Sequence, residues 1–99
     1  MNSFNSSKKI LITGAAGFIG AATSKELLKR GFTVIGLDDL NNYYDINLKK
    51  SRLNFISNSE NKSKWKFFKF GIEDDFQLEK IFNDFRPEIV INLAAQAGV

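Results

Sequence analysis

The chain lacks both cysteine and histidine entirely. Disulfide bonds, thiolate chemistry, the usual zinc sites and histidine-based acid–base catalysis are therefore excluded within its 99 residues. It also lacks any continuous run of about 18 apolar residues, the length that a membrane span requires. Residues 1–7 form a polar tail without the apolar segment of an export signal. These absences argue against a membrane partner and favour a cytoplasmic location.

The composition that remains is that of an ordinary globular domain. Hydrophobic residues make up 43% of the chain and charged residues 25%, so disorder is not expected. A chain of 99 residues is at most one domain, which we assign to residues 8–99. The net charge of +3 is too small to indicate nucleic-acid binding by itself.

One segment nevertheless leaves nucleic-acid binding open as an alternative. Aromatic residues in the segment 65–70 alternate with lysines, as in proteins that stack single-stranded bases. The basic residues that cluster around it in the sequence are Lys49, Lys50, Arg52, Lys62, Lys64, Lys66 and Lys69. A buried strand whose solvated lysines protect a sheet edge explains the same pattern better, so we expect no nucleic-acid partner.

Short apolar segments alternate with amphipathic ones along the whole chain. The apolar segments predict four strands, at residues 9–13, 32–37, 65–70 and 88–93. The amphipathic segments predict three helices, at residues 18–30, at 45 to about 58, and between a capping box at Asp74 and Gln77 and the stop at Pro87. On the first helix, Ile19, Thr23, Leu27 and Leu28 are expected to share the buried face. This order predicts an α/β fold, a Rossmann-type doubly wound parallel sheet whose first four strands lie in the order 3-2-1-4.

Three glycines with the spacing G-x-x-G-x-x-G stand between the first strand and the first helix. Gly14 can make the sharp turn out of the strand, Gly17 leaves room for a pyrophosphate, and Gly20 lets the helix pack closely. The N–H groups and the dipole at the start of the helix favour phosphate charge. The alternative is that these glycines serve only a tight turn and close packing.

Asp38 is the second element of a dinucleotide site. It ends the second strand, 18 residues after Gly20, where a carboxylate that binds an adenosine ribose is expected about 20 residues on. A carboxylate there repels a 2′-phosphate, Asp39 adds to the repulsion, and no arginine stands nearby in sequence. The pattern therefore favours NAD over NADP as the cofactor. The alternative is that Asp38 only caps a turn.

Three stretches of the sequence resemble one known family. The loop 13–20 resembles the cofactor loop of the extended short-chain dehydrogenases/reductases, the NAD-dependent epimerase/dehydratase family that acts on nucleotide sugars. Residues 93–99 resemble that family's motif at the end of the fourth strand. The stretch 36–45, with the pairs 48–49 and 52–53, is similar to the subfamily of UDP-glucuronate 4-epimerases. The resemblance extends over residues 8–99.

The resemblance implies a set of cofactor-binding residues. It places Gly14, Gly17, Phe18 and Ile19 at the pyrophosphate, with Gly20 closing the loop, Asp38 and Asn42 at the adenosine ribose, Ile72 at the adenine, and Leu93, Ala94 and Ala95 towards the nicotinamide. The family usually has an aspartate before the aliphatic residue that receives the adenine, and here Gly71 stands in that place. Either the contact to the adenine amino group is absent, or Glu73 or Asp74 replaces the missing carboxylate.

The resemblance also implies catalytic residues that this sequence lacks. The family uses a Ser or Thr and a Tyr-x-x-x-Lys pair beyond the fourth strand, whereas Tyr43 and Tyr44 are followed four residues later by Asn47 and Leu48. We therefore predict the incomplete, N-terminal part of an NAD-binding domain from a nucleotide-sugar epimerase. The whole enzyme would act on a UDP-sugar and form a homodimer. The alternatives are another dehydratase or reductase of the superfamily and a self-contained nucleotide-binding module without catalysis.

Overall fold

The computed structural model describes residues 8–40, 46–59 and 61–94, which form an α/β fold with four strands and three α-helices. In chain order the elements are β1 (Lys9–Thr13), α1 (Phe18–Lys29), β2 (Thr33–Leu37), α2 (Ile46–Ser57), β3 (Trp65–Phe68), α3 (Asp75–Phe85) and β4 (Ile89–Asn92). A short 3-10 turn, Lys62–Lys64, precedes β3. The predicted elements are all present; β1 has the predicted bounds, and the ends of the other strands differ from the prediction by at most two residues.

The four strands form one parallel sheet in the order β3-β2-β1-β4, which confirms the predicted topology. Leu11 of β1 pairs with Ile35 of β2 on one side and with Val90 of β4 on the other. Strands β2 and β3 therefore lie on one side of β1, and the chain then crosses over to place β4 on the other side. In open α/β sheets, ligands bind beyond the carboxyl ends of the strands at such a switch point. Here that point is the carboxyl end of β1.

Helices cover both faces of β1, so its side chains are buried on both sides. Ile10 and Ile12 belong to one core with residues of α1 and α2, whereas Leu11 belongs to a second core with α3. A parallel strand enclosed in this way carries a continuous apolar run instead of an alternating one. This is why the segment Ile10–Ile12 has no polar residue.

Local hydrogen bonds close the end of α1 and the start of α3, where the sequence predicts a capping box. After α1, the N–H of Gly31 donates to the carbonyl of Leu28 at 2.9 Å and that of Phe32 donates to Leu27 at 3.1 Å. These two bonds form a Schellman cap. Before α3, Asp74 accepts a hydrogen bond from the backbone N–H of Gln77, as a helix N-cap does.

The predicted buried face of α1 is wrong in part. Of the four residues expected there, Leu28 is fully buried, Thr23 and Leu27 are half-buried, and Ile19 is 63% exposed. The residues that pack against the sheet are Gly20, Ala21, Ser24 and Leu28. Small side chains let the helix axis approach the sheet closely, so the side of α1 that carries Ile19 turns away from the core.

The third strand is an edge strand and is less buried than predicted. Trp65 and Phe67 are half-buried, and their rings stack with centroids 6.1 Å apart. Trp65 covers Gly36, where an added Cβ would come within 2.4 Å of the indole ring. Lys66 is exposed, as expected of a lysine that protects a sheet edge. Within the described ranges, none of the helices is long and apolar enough to cross a membrane.

Candidate functional site

The glycine loop holds the carboxyl ends of β1 and β4 tightly together. Gly14 has a φ of +71°, which L side chains rarely adopt, and an added Cβ there would lie 2.8 Å from the carbonyl of Leu93. A Cβ on Gly20 would lie 2.1 Å from the carbonyl oxygen of Gly14. Two of the three glycines are therefore required by the packing of the loop itself.

Gly17 is less crowded than the other two, although an added Cβ would still make a tight contact. The atom that an added Cβ would approach is the carbonyl oxygen of Gly14, at 3.2 Å. Gly17 is the N-cap of α1, no side chain caps it, and the first turn contains no acidic residue. Phe18 and Ile19 follow it and are 77% and 63% exposed. A helix start without a side-chain cap or a nearby acidic residue fits an anionic group such as a pyrophosphate.

Asp38 is buried and joins the end of β2 to the glycine loop. Its Oδ2 accepts a hydrogen bond from the N–H of Ala16 at 3.0 Å, and its Oδ1 accepts one from Leu40 at 2.8 Å. The bond to Leu40 caps the turn that follows β2. Capping a turn, the alternative role considered for Asp38, is therefore part of what this residue does. The bond to Ala16 places the carboxylate directly against the loop that begins α1.

Lys49 of α2 completes the surroundings of this carboxylate. Its Nζ donates to Oδ1 of Asp38 at 3.1 Å, and its side chain is only 10% exposed. This corrects the expectation that Lys49 belongs to a set of solvated basic residues. The burial of Lys49, though not its partner, could have been inferred, because Lys49, Leu53 and Ile56 are spaced i, i+4, i+7 and share one helix face. A lysine can extend its apolar stem along such a face and place its charge at the end.

A second cation of α2 contacts the glycine loop. Arg52 donates from Nη1 to the carbonyl oxygen of Ala16 at 3.3 Å, and its guanidinium lies 5.9 Å from the centre of the Phe18 ring. No arginine is near Asp38 in the sequence, but the fold brings this one to the loop. The two cations are three residues apart on α2 and therefore point to the same side.

Thr13 connects β1 to β4 at the site and was not singled out from the sequence. Its Oγ1 accepts hydrogen bonds from the N–H groups of Leu93 at 3.0 Å and Ala94 at 3.2 Å, and it donates to Oδ1 of Asn92. A threonine at the end of a buried strand is the signal that could have found it. These bonds place the candidate residues Leu93 and Ala94 beside Gly14.

The adenine side of the predicted site contains a carboxylate in an unexpected place. An added Cβ on Gly71 would lie 2.2 Å from Oε1 of Glu73, so the Glu73 carboxylate fills the space of the absent aspartate side chain. Asp74 is engaged with Gln77, from whose side chain it also accepts a hydrogen bond at 2.7 Å. The half-buried Ile72 lines a depression of about 290 Å³ together with residues from the ends of β1 and β4.

The fold therefore brings most of the predicted residues to one edge of the sheet. The glycine loop, Asp38, Leu93 and Ala94 are linked by direct contacts, and Ile72 lies beside the same strand ends. Asn42 and Ala95 lie outside the described residues. Among the residues that the structure describes, no cluster of acidic side chains could hold a metal ion.

The strand order, the helices on both faces and the glycine loop define a Rossmann-type α/β protein. The chain belongs to the GDP-mannose 4,6 dehydratase family, whose model matches residues 11–99. This membership confirms the resemblance to epimerase and dehydratase proteins.

Two curated relatives are similar over most of the chain. Protein CapI of Staphylococcus aureus is 50% identical over 92% of this chain. A UDP-glucuronate 4-epimerase of Thermodesulfobacterium geofontis is 46% identical over 90% of it. The matches cover 26% and 27% of those proteins, so the chain spans about a quarter of their length.

Solved structures of epimerases have the same fold. The UDP-glucose 4-epimerase of Thermotoga maritima with UDP-glucose matches with a TM-score of 0.70 and 37% identity, over 90% of this chain and 25% of that one. The UDP-glucose 4-epimerase of Brucella ovis in complex with NAD matches with a TM-score of 0.68 and 27% identity, over 94% and 24%.

Proposed function

We propose that this chain is the NAD-binding part of a nucleotide-sugar epimerase, with UDP-glucuronate 4-epimerase as the favoured member. Residues 8–99 would form the N-terminal part of the cofactor domain. The observation that carries the proposal is the contact between Asp38 and the N–H of Ala16, at 3.0 Å. It sets a carboxylate for ribose recognition directly beside the uncapped start of α1.

The residues present fit this cofactor. Gly17 has no side chain where a pyrophosphate would approach the backbone, and the start of α1 offers N–H groups to its charge. Among the described residues, three donors bind the Asp38 carboxylate, which has about four acceptor positions, so one remains there for a ribose hydroxyl. Ile72 would contact the adenine, and Leu93 with Ala94 would contact the cofactor towards its nicotinamide.

The chain would bind and orient the cofactor without performing the chemistry. NAD supplies the hydride acceptor for the transient oxidation at C4 by which an epimerase inverts that carbon. The glycine loop would fix the pyrophosphate, and the bonds of Thr13 would hold the end of β4 in place below it. The sequence contains no Tyr-x-x-x-Lys pair, so residues outside this chain would move the proton in the whole enzyme.

The identity of 46% with a UDP-glucuronate 4-epimerase supports UDP-glucuronate as the substrate of the whole protein. A homodimeric enzyme, a cytoplasmic location and the absence of a nucleic-acid partner stay predictions. The family model, which describes a dehydratase, supports a dehydratase or reductase of the same superfamily as the second candidate. Incubation of the natural full-length protein with UDP-glucuronate separates the two. An epimerase yields the C4 epimer, and a dehydratase yields a keto-deoxy sugar from its own substrate.

The cofactor proposal is tested by Gly17→Val in the natural full-length protein, in calorimetric titrations with NAD. A branched side chain would occupy the position that the pyrophosphate needs beside the loop, so we expect NAD binding to be lost while the far-UV circular dichroism is retained. Asp38→Asn, which removes the charge but keeps an acceptor, is expected to weaken binding without abolishing it. Normal NAD affinity in Gly17→Val would show that the loop does not hold a pyrophosphate.

A further inference from the structure

The carboxylate that would recognise the ribose is not an isolated negative charge. Lys49 Nζ bonds its Oδ1 at 3.1 Å, and the side chains of Lys49 and Asp38 are only 10% and 4% exposed. We propose that Lys49 is a positioning and specificity-determining residue. It fixes the Asp38 carboxylate, and it lowers the preference for NAD over NADP that this carboxylate creates. This inference rests on the proposed binding of NAD at the site.

The positioning part follows from the hydrogen bonds around Asp38. Lys49 and the N–H of Leu40 both donate to Oδ1, whereas the N–H of Ala16 donates to Oδ2. The three donors come from α2, from the turn after β2 and from the glycine loop, so together they fix the plane of the carboxylate. With the donors of the described residues counted, the acceptor position that is left for a ligand lies on Oδ2, on the side of the glycine loop.

The specificity part follows from the charges. A 2′-phosphate on the ribose would be placed against Asp38, and a lone carboxylate would repel it. Since each hydrogen bond is about 3 Å long, any group that touches this carboxylate lies within roughly 8 Å of the Lys49 ammonium. Little water separates a buried ammonium from such a group, so its charge is screened less than at the surface. Lys49 therefore offsets much of the repulsion that Asp38 exerts on NADP.

The other cation of α2 acts in the same direction. Arg52 reaches the carbonyl oxygen of Ala16, the residue whose N–H binds Asp38. The described surroundings of the Asp38 carboxylate thus bring two positive charges from one helix towards the glycine loop. Lys49 makes the direct contact with the carboxylate, and its removal is therefore the decisive test.

Four variants of the natural full-length protein distinguish the effect of the Lys49 charge from support of the fold alone. Lys49→Met removes both the charge and the hydrogen bond, Lys49→Gln removes the charge but keeps a donor, and Lys49→Arg keeps both. Lys50→Met is the matched control, because Lys50 is the next residue of α2 and is exposed. The Kd values of NAD and of NADP are measured by calorimetric titration for each variant and for the unchanged protein.

We expect the ratio of the NADP Kd to the NAD Kd to rise roughly tenfold in Lys49→Gln and in Lys49→Met, because an uncompensated carboxylate repels the extra phosphate. Lys49→Arg and Lys50→Met should keep the ratio of the unchanged protein. If Lys49→Met does not fold, Lys49→Gln decides, since it retains a donor to Asp38.

An unchanged ratio in Lys49→Gln, or an equal loss of affinity for both cofactors, would leave Lys49 a structural residue only and overturn the inference. Failure of the unchanged protein to bind NAD is a different result. It would refute the proposed function, and this inference with it.

Discussion

Asp38 and Lys49 form a buried ion pair that links β2, the glycine loop and α2. Breaking a buried pair on one side leaves the other charge without compensation, which costs more than removing both. The ribose-binding candidate is therefore also a structural residue, and loss of NAD binding in an Asp38 variant has to be separated from loss of the fold.

We expect Asp38→Ala to lower the free energy of unfolding by about 3–5 kcal/mol, because it leaves the Lys49 ammonium buried and unpaired. The double variant Asp38→Ala/Lys49→Met should lose less than the sum of the two single variants. Chemical denaturation followed by circular dichroism measures all three, with Lys50→Met as the control. Additive losses would show that the two side chains do not stabilise each other.

Glu73 is the residue we expect to replace the carboxylate missing at Gly71, since its Oε1 fills the place of that side chain. Glu73→Ala should weaken NAD binding severalfold, by about 0.5–1.5 kcal/mol, through loss of one hydrogen bond to the adenine amino group. Titration calorimetry of the natural full-length protein with NAD measures the loss of affinity. Asp74→Asn is the control because Asp74 is engaged in the cap of α3. An equal loss of NAD affinity in Asp74→Asn would show that Glu73 is not the residue that specifically binds the adenine.

At the scale of whole elements, the strands and helix ends were predictable because their signals are local. The apolar run of β1, the glycine after α1 and the Asp74–Gln77 pair act within a few residues of each other. The buried face of α1 was not predictable from hydrophobicity, since Gly20, Ala21 and Ser24 pack by being small. The pairing of Lys49 with Asp38 joins residues 11 apart through the fold, so the sequence around either one does not specify it.

The N-cap of α3 gives this helix a pH dependence. Hydrogen bonds from the Gln77 side chain and then from its backbone N–H hold the pKa of Asp74 below its ordinary value of 3.8. A carboxyl group whose pKa is lower in the folded state stabilises the fold above its ordinary pKa. That stabilisation is lost as the pH falls through the folded-state pKa.

Asp74→Asn should therefore keep the cap but remove this part of the acid sensitivity, whereas Asp74→Ala should lower the Tm at neutral pH as well. Thermal melts between pH 2 and pH 7 compare the two variants with the unchanged protein. The cap assignment would be contradicted if Asp74→Ala melted at the same temperature as the unchanged protein at pH 7.

At the scale of the whole molecule, the two edges of the described sheet differ. Lys66 and the indole of Trp65 protect the β3 edge, whereas β4 is aliphatic, carries no lysine and has Val90 48% exposed. The face beside β4 is a shallow apolar depression of about 290 Å³, to which Leu78 and the exposed Phe82 of α3 contribute. An apolar edge with free backbone groups is a template for pairing with another chain.

We therefore expect the 99-residue chain by itself to self-associate through β4 and to bind NAD weakly. Sedimentation velocity over a range of concentrations measures the association. Val90→Lys should shift the population towards monomer, because it places a charge on the exposed face of the edge strand without entering the core. Phe76→Lys is the matched control, since Phe76 is 81% exposed on α3 and its replacement makes the same change from apolar to charged. A monomeric chain that binds NAD tightly would contradict this expectation and favour a self-contained nucleotide-binding module. An equal shift towards monomer in both lysine variants would instead show that association is driven by general surface hydrophobicity and not by the β4 edge.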